Sequence, residues 1–259
     1  MGNSNIIETK GVTIQFNGLV AVDAVDFSMK EGEAVGIIGS NGAGKTTFFN
    51  LLTGLFPPTS GSIYYDGKEI TRVPPHSRVM MGMVRTFQLV SVFDTLTVVD
   101  NLILSVVRFR ENQKAIGGFF FSDARHPSVL ETCEEALATM GIEDKANLMT
   151  SQLSYGDKRK LEIAVALSLK PRILLLDEPF AGLGDLEIGE VSSIISRVKE
   201  NFSFIIIEHK ISRIVDLVQR LSVMHEGRLI AEGVPAEVLS NPLVREVYWG
   251  KEEGLACSV

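Results

Sequence analysis

Nine consecutive residues carry the most explicit chemistry in this chain: Gly39-Ser40-Asn41-Gly42-Ala43-Gly44-Lys45-Thr46-Thr47. They follow the pattern G-x-x-x-x-G-K-[ST]. The apolar run Ala34-Val35-Gly36-Ile37-Ile38 precedes them, and the helix-forming run Thr47-Phe48-Phe49-Asn50-Leu51-Leu52 follows. That strand–loop–helix setting is the one in which the pattern binds phosphate. A phosphate chain needs dense positive potential with no side chain in the way. Gly42 and Gly44 allow the backbone to curl so that successive N–H groups point inward. A helix beginning near Lys45 adds roughly half a positive charge at its N-terminus. Lys45 is expected to reach the β- and γ-phosphates of a nucleotide, and Thr46 to place its hydroxyl on Mg²⁺. The loop predicts ATP or GTP but not what the nucleotide is for.

Two carboxylates supply a second piece of chemistry. The run Ile173-Leu174-Leu175-Leu176 reads as a buried central strand, and Asp177-Glu178-Pro179 ends it. Asp177 is suited to hold Mg²⁺ through water, and Glu178 to polarise the water that attacks a γ-phosphate. Phe204-Ile205-Ile206-Ile207 is a similar run ending at Glu208-His209, where His209 could contact a γ-phosphate. Gln88 closes the apolar stretch Gly82–Phe87 and could ligate Mg²⁺ or hold a water. Ser154 precedes the helical pattern Leu161, Ala164, Val165, Ser168, so it marks a second helix N-terminus suited to an anion. Phe16 lies shortly before the phosphate loop and reads as either a core aromatic or a platform for a nucleotide base.

The elements that must position these residues follow from periodicity. Residues 6–30 alternate apolar and polar about Asn17-Gly18, predicting an antiparallel strand pair before the loop. Gly61–Tyr65 is a strand closing on Asp66-Gly67, and Val73-Pro74-Pro75 is a further loop. Leu96, Val99, Leu102, Ile103 and Val106 recur at helical spacing, with Thr97 or Asp94 as the cap. Val129, Cys133, Ala136, Leu137 and Met140 define another helix, and Gly117–Phe121 is a turn between the two. Leu186, Ile188, Val191, Ile194, Ile195 and Val198 define an amphipathic helix. Leu221–His225 and Arg228–Glu232 pair about Glu226-Gly227. Pro235–Leu239 is a short helix, followed by a tail.

With 259 residues and 45% hydrophobic content there is ample material for an α/β core. No run of about 18 apolar residues is present, so no transmembrane helix is expected, and the first residues lack the pattern of a signal peptide. The net charge of −7 argues against a nucleic-acid partner. Cys133 and Cys257 are far apart, lack metal-binding spacing and read as idle thiols.

Together these motifs resemble the ATP-binding cassette family, in order and over nearly the whole chain. The resemblance implies a P-loop NTPase (RecA-like) core with an N-terminal antiparallel β subdomain and an inserted α-helical subdomain. The expected boundaries are one cassette over 6–250, with core segments of about 6–91 and 150–225, a helical subdomain at 92–149 and a C-terminal extension at 226–259. The cofactors it implies are ATP and Mg²⁺. Two cassettes would sandwich two ATPs head to tail, so that Ser154 and Gly156 complete the partner's site. Thr46, Gln88 and Asp177 would serve the metal, and Glu178, His209 and Gln88 the hydrolysis.

Arg85-Thr86-Phe87-Gln88, Glu178-Pro179-Phe180-Ala181-Gly182-Leu183, Glu232-Gly233-Val234-Pro235 and Tyr248-Trp249-Gly250 narrow the resemblance further. They look like the ATPase subunits of high-affinity branched-chain amino-acid importers, with urea or short-amide importers and lipopolysaccharide-export ATPases close by. The partners then implied are a second ATPase subunit (homo- or heterodimer), transmembrane permeases and, indirectly, an extracellular solute-binding protein. The implied location is peripheral, at the cytoplasmic face of the inner membrane. An end shortly after Gly250 suits a stand-alone ATPase subunit. The chain departs from the family pattern at Asp157, where Gln is usual, and at Gly184, where Asp is usual. Those departures leave room for a non-hydrolysing regulatory cassette, which Glu178 and His209 oppose. Soluble cassette ATPases of DNA repair carry long coiled-coil insertions and ribosomal ones carry two cassettes, and neither feature is present.

Overall fold

The structure is a computed structural model and describes residues 5–88, 90–113, 124–199 and 202–249. In chain order its elements are β1 (Asn5–Phe16), β2 (Leu19–Lys30), β3 (Ala34–Ile38), α1 (Lys45–Leu52), β4 (Ser60–Tyr65), β5 (Lys68–Glu69), α2 (Pro75–Met80), β6 (Met83–Arg85), α3 (Val98–Gln113) and α4 (Pro127–Met140). Then come α5 (Tyr155–Ser168), β7 (Ile173–Asp177), α6 (Asp185–Val198), β8 (Ser203–Glu208), β9 (Arg220–His225), β10 (Arg228–Gly233), α7 (Pro235–Ser240) and α8 (Pro242–Trp249). Of the described residues, those up to Val73 and from Ile205 onward form one compact unit, and Pro74–Phe204 form another.

In the first unit β1 and β2 pair antiparallel about Asn17 (φ 47°) and Gly18 (φ 91°). Two positive φ values in succession are what a two-residue turn needs to match the strand twist, which is why Asn-Gly stands there. Val12 faces Val25 and Ile14 faces Val22, all four buried. β4 pairs with the other edge of β1 and β5 with β4, giving the order β2-β1-β4-β5.

The unit's second set of strands runs β10-β9-β3-β8. β3 is parallel to β9, and β9 and β10 are antiparallel about Glu226 and Gly227. All five residues of β3 are buried. A Cβ at Gly36 would fall 2.8 Å from an Ile214 methyl, 2.9 Å from a Leu221 methyl and 3.3 Å from Val218, so a larger residue there would require those side chains to repack. α1 buries Phe48, Phe49, Leu51 and Leu52, each contributing about 1.5–3 kcal/mol. This anchors the helix that begins at the end of the phosphate loop. The stretch after Leu239 is helical, not a plain tail. Pro242 opens α8, and Asn241 Oδ1 accepts from the Leu243 N–H at 2.9 Å.

In the second unit β6 and β7 pair parallel, Met83 with Ile173 and Arg85 with Leu175. β6 stops at Arg85, three residues before Gln88. The Thr86 N–H still donates to Leu175 O, but Phe87 then turns its N–H to the Glu162 carboxylate. α2 is an element that periodicity did not reveal: it is one and a half turns long, with Pro75 in its first turn. Thr97 caps α3, its Oγ1 accepting from the Asp100 N–H at 3.2 Å. The buried face of α3 is Val98, Leu102, Ile103 and Val106; Leu96 lies ahead of the helix. α4 buries Val129, Cys133, Ala136, Leu137 and Met140 as expected, and Gly141 at φ 65° ends it. α6 differs from expectation at Leu186, which is 87% exposed. Burial on α6 begins in its second turn, at Val191, Ile194 and Ile195. The expected turn at Gly117–Phe121 lies outside the described residues. Among the described residues no helix is long and apolar enough to cross a membrane.

Candidate functional site

The first unit carries the phosphate loop between β3 and α1. Gly42 and Gly44 lie at φ 81° and 97°, the left-handed backbone that the curl requires. Ser40, Asn41, Gly42 and Thr46 are exposed, while Ala43 and Lys45 are buried beneath them. Lys45 Nζ donates to Gly39 O at 2.8 Å and to Ser40 O at 3.0 Å. The ammonium is therefore held inside the curve of its own loop, where phosphate oxygens would meet it. α1 starts at Lys45, so Lys45, Thr46 and Thr47 form its first turn. The N–H groups of a first turn have no partner within the helix and suit an anion.

Gly44 is also confined from behind. A Cβ there would strike the Ala21 carbonyl and lie 3.3 Å from Gly227 Cα, whereas one at Gly42 would meet nothing within 4 Å. Gly42→Ala is expected to cost about 1–2 kcal/mol of stability through backbone strain alone. Gly44→Ala should cost more, because the clash is with backbone that cannot rotate away. Urea unfolding of the two variants tests the ranking; a milder Gly44→Ala would overturn it.

His209 follows β8 directly and is exposed. Its N–H donates to Glu208 Oε2 at 3.2 Å, and its Nδ1 lies 3.8 Å from the same oxygen. The fully buried Glu208 thus steers His209. Phe16, at the end of β1, is 41% exposed and packs edge-on against Phe56 at 5.7 Å. It is not a core aromatic.

The second unit carries the carboxylates. Asp177 is the last residue of β7, buried, and paired with Arg85 Nη2 at 2.6 Å. Its Oδ2 takes that bond, while its Oδ1 is buried with no hydrogen-bond partner. A buried carboxylate oxygen in that condition is costly unless something polar meets it. It fits a metal ion or metal-bound water, and Asp177 is the residue that would hold Mg²⁺ here. Glu178 sits at φ 47°, a left-handed conformation unusual for a residue with a side chain. Gln88 Nε2 donates to Glu178 Oε2 at 3.1 Å, so the structure brings these two predicted residues together.

Ser154 caps α5, its Oγ accepting from the Asp157 N–H at 3.1 Å. That hydroxyl in turn donates to Asp157 Oδ2 at 3.0 Å. Lys145 Nζ meets the same Asp157 oxygen at 2.7 Å. The expected extra negative charge of Asp157 is therefore compensated within the chain. Burial opposes its ionisation, but the hydrogen bonds from Lys145 and Ser154 and the charges of Lys145 and Lys160 together hold its carboxyl below the usual range. Gly156 lies against Glu187 of α6, whose carboxylate a Cβ would strike.

Sequence reasoning missed Arg85, Lys145, Arg159 and Glu162. The one available signal was the opposite-charge pair Arg159 and Glu162, three apart on a helix buried on almost every face.

Comparisons with known proteins identify the family. The family model described as ABC transporter matches residues 22–181, and that of the branched-chain amino acid ATP-binding cassette transporter matches 228–253. The high-affinity branched-chain amino acid transport ATP-binding protein BraF of Pseudomonas aeruginosa is 38% identical over 95% of this chain and 98% of its own length. LivG of Escherichia coli, of the same description, is 36% identical with the same coverages. The lipopolysaccharide export system ATP-binding protein LptB of Escherichia coli is 32% identical, again over 95% of this chain and 98% of its own. The solved structure of the ADP conformation of MJ1267, an ATP-binding cassette of an ABC transporter, superposes with a TM-score of 0.82 at 28% identity, covering 96% of this chain and all of that one. The chain belongs to the ABC transporter family, as an ATP-hydrolysing, nucleotide-binding subunit grouped with the branched-chain amino acid transport ATP-binding proteins.

Proposed function

We propose that this subunit energises uptake of branched-chain amino acids through a membrane permease, working as a homo- or heterodimer of cassettes. The observation that carries the substrate is the match of residues 228–253 to the branched-chain amino acid model, joined to BraF and LivG along nearly the whole chain. In this reading Gly39–Thr47 cradle the phosphates of ATP, with Lys45 at the β- and γ-phosphates. Thr46, Gln88 and Asp177 hold Mg²⁺ or its waters. Glu178 polarises the attacking water, His209 contacts the γ-phosphate and Phe16 stacks on the base. Ser154 and Gly156 complete the site of the partner cassette. The orphaned Oδ1 of Asp177 and the Gln88–Glu178 contact support these roles.

The same reading places the chain peripherally at the inner face of the membrane, docked through the segment around 92–149. Phe93, Leu148 and Met149 are exposed there, and backbone bonds between Val98 and Leu148 and between Thr150 and Leu96 bring their segments together. Apolar side chains gathered on a surface suit a protein partner. The test is reconstitution with the permeases that co-purify in detergent, together with their solute-binding protein. ATP hydrolysis stimulated by leucine, isoleucine or valine is expected. Stimulation by a short amide would overturn the substrate assignment in favour of an amide importer, and stimulation by lipopolysaccharide would favour the reading suggested by LptB.

A further inference from the structure

Arg159 is 1% exposed, and its guanidinium reaches five acceptors. Nε donates to Pro179 O at 3.1 Å. Nη2 donates to Asp177 O at 2.9 Å and to Glu178 O at 2.8 Å. Nη1 donates to Phe87 O at 2.7 Å and to Glu162 Oε2 at 2.5 Å. Glu162, also buried, accepts the Phe87 N–H on its other oxygen at 3.0 Å. One Arg–Glu pair on α5 therefore holds two loops: the one leading to Gln88, through both backbone polar groups of Phe87, and the one carrying Glu178, through three successive carbonyls. These are the loops whose tips meet in the Gln88–Glu178 hydrogen bond. Guanidinium has five N–H donors in a rigid plane, and here each acceptor takes one.

We propose that Arg159 is a positioning residue for hydrolysis, fixing the backbone of Glu178 and of the Gln88 loop to α5 so that the carboxylate is aimed at the attacking water. The proposal rests on the reading of Glu178 as the water-polarising base. A buried arginine that merely satisfied stray carbonyls would need only one loop. This one spans both, with Glu162 closing the clamp. Because α5 is capped by Ser154, the helix that presents Ser154 is also the helix that fixes Glu178.

Displacement of a reacting group by about 1 Å can cost on the order of 10²-fold in rate. Arg159→Lys keeps the charge but has three donors for five acceptors. It is expected to lower single-turnover hydrolysis about 100-fold while leaving the Kd of a fluorescent ATP analogue within about threefold, since its contacts are to the catalytic loops. Adding Arg159→Lys to Glu178→Gln should cost less than about threefold more, because the group it positions is already gone. Hydrolysis by Arg159→Lys within about threefold of wild type, or its full penalty recurring on the Glu178→Gln background, would overturn the proposal.

Should Arg159→Lys not fold, Glu162→Gln is read in the same way, since it removes the charge that orients Arg159 and leaves the volume unchanged. Full activity in Glu178→Gln alone would reject the assignment of Glu178, an outcome separate from failure of the clamp.

Discussion

Glu178→Gln is expected to lower ATP hydrolysis by about 10²–10⁴-fold, the range for losing a positioned general base, while ATP binding and the melting temperature stay close to wild type. The change is chemical more than structural. Glutamine keeps the volume of the side chain, and its amide can rotate to keep a hydrogen bond with Gln88, which meets Glu178 Oε2 at 3.1 Å. What disappears is the capacity to draw a proton from water. The backbone at this position is held independently, through its carbonyl on Arg159 at 2.8 Å. With Mg-ATP present the variant should accumulate as an ATP-bound dimer, twice the monomer mass by light scattering. Unchanged hydrolysis would remove Glu178 from its role, and a persistent monomer would count against the sandwich of cassettes.

Lys45→Ala is expected to weaken ATP binding by roughly 30-fold or more. Losing one partner of a desolvated charge pair costs about 2–5 kcal/mol, and each 1.4 kcal/mol is a factor of about ten in Kd. Lys45 is 6% exposed and tied to the carbonyls of Gly39 and Ser40, so its ammonium sits within the loop before any phosphate arrives. That preorganisation is why alanine should cost affinity and not merely reshape a mobile side chain. Titration with a fluorescent ATP analogue measures it. An affinity within about threefold of wild type would refute the role, and circular dichroism melting separates a binding defect from an unfolded loop.

Much of this protein was legible in linear order. The phosphate loop is a local device: glycine positions, an apolar strand before and a helix after are all set between Ala34 and Leu52. The turns at Asn17-Gly18 and Glu226-Gly227 were equally readable, because positive φ at two successive positions narrows residue choice. Periodicity found the buried face of α4 and the strands β7 and β8. It failed for short elements. α2 offers too few residues for a repeat, and α8 was hidden behind Asn241-Pro242, which also reads as a loop signal. On α5 it found the helix and the buried Leu161, Ala164 and Ser168, but gave no sign that Arg159 and Glu162 are buried with them.

The chain's local order thus marked a nucleotide-binding chain, with a phosphate-loop motif and two strand-end carboxylates as the residues to test. The environment of those carboxylates came only with folding. Arg85 lies 92 positions from Asp177 in the chain yet takes one of its oxygens, while the other is buried without a hydrogen-bond partner. Asp157, an apparent excess of negative charge, is neutralised by Lys145 and occupied by the Ser154 hydroxyl. Arg159, an ordinary basic residue in sequence, closes on four backbone carbonyls from two distant loops. Side-chain identity and spacing state what chemistry is possible. Which groups are desolvated, and which opposing charge or carbonyl lies within hydrogen-bond reach, depends on long-range packing that no local pattern encodes.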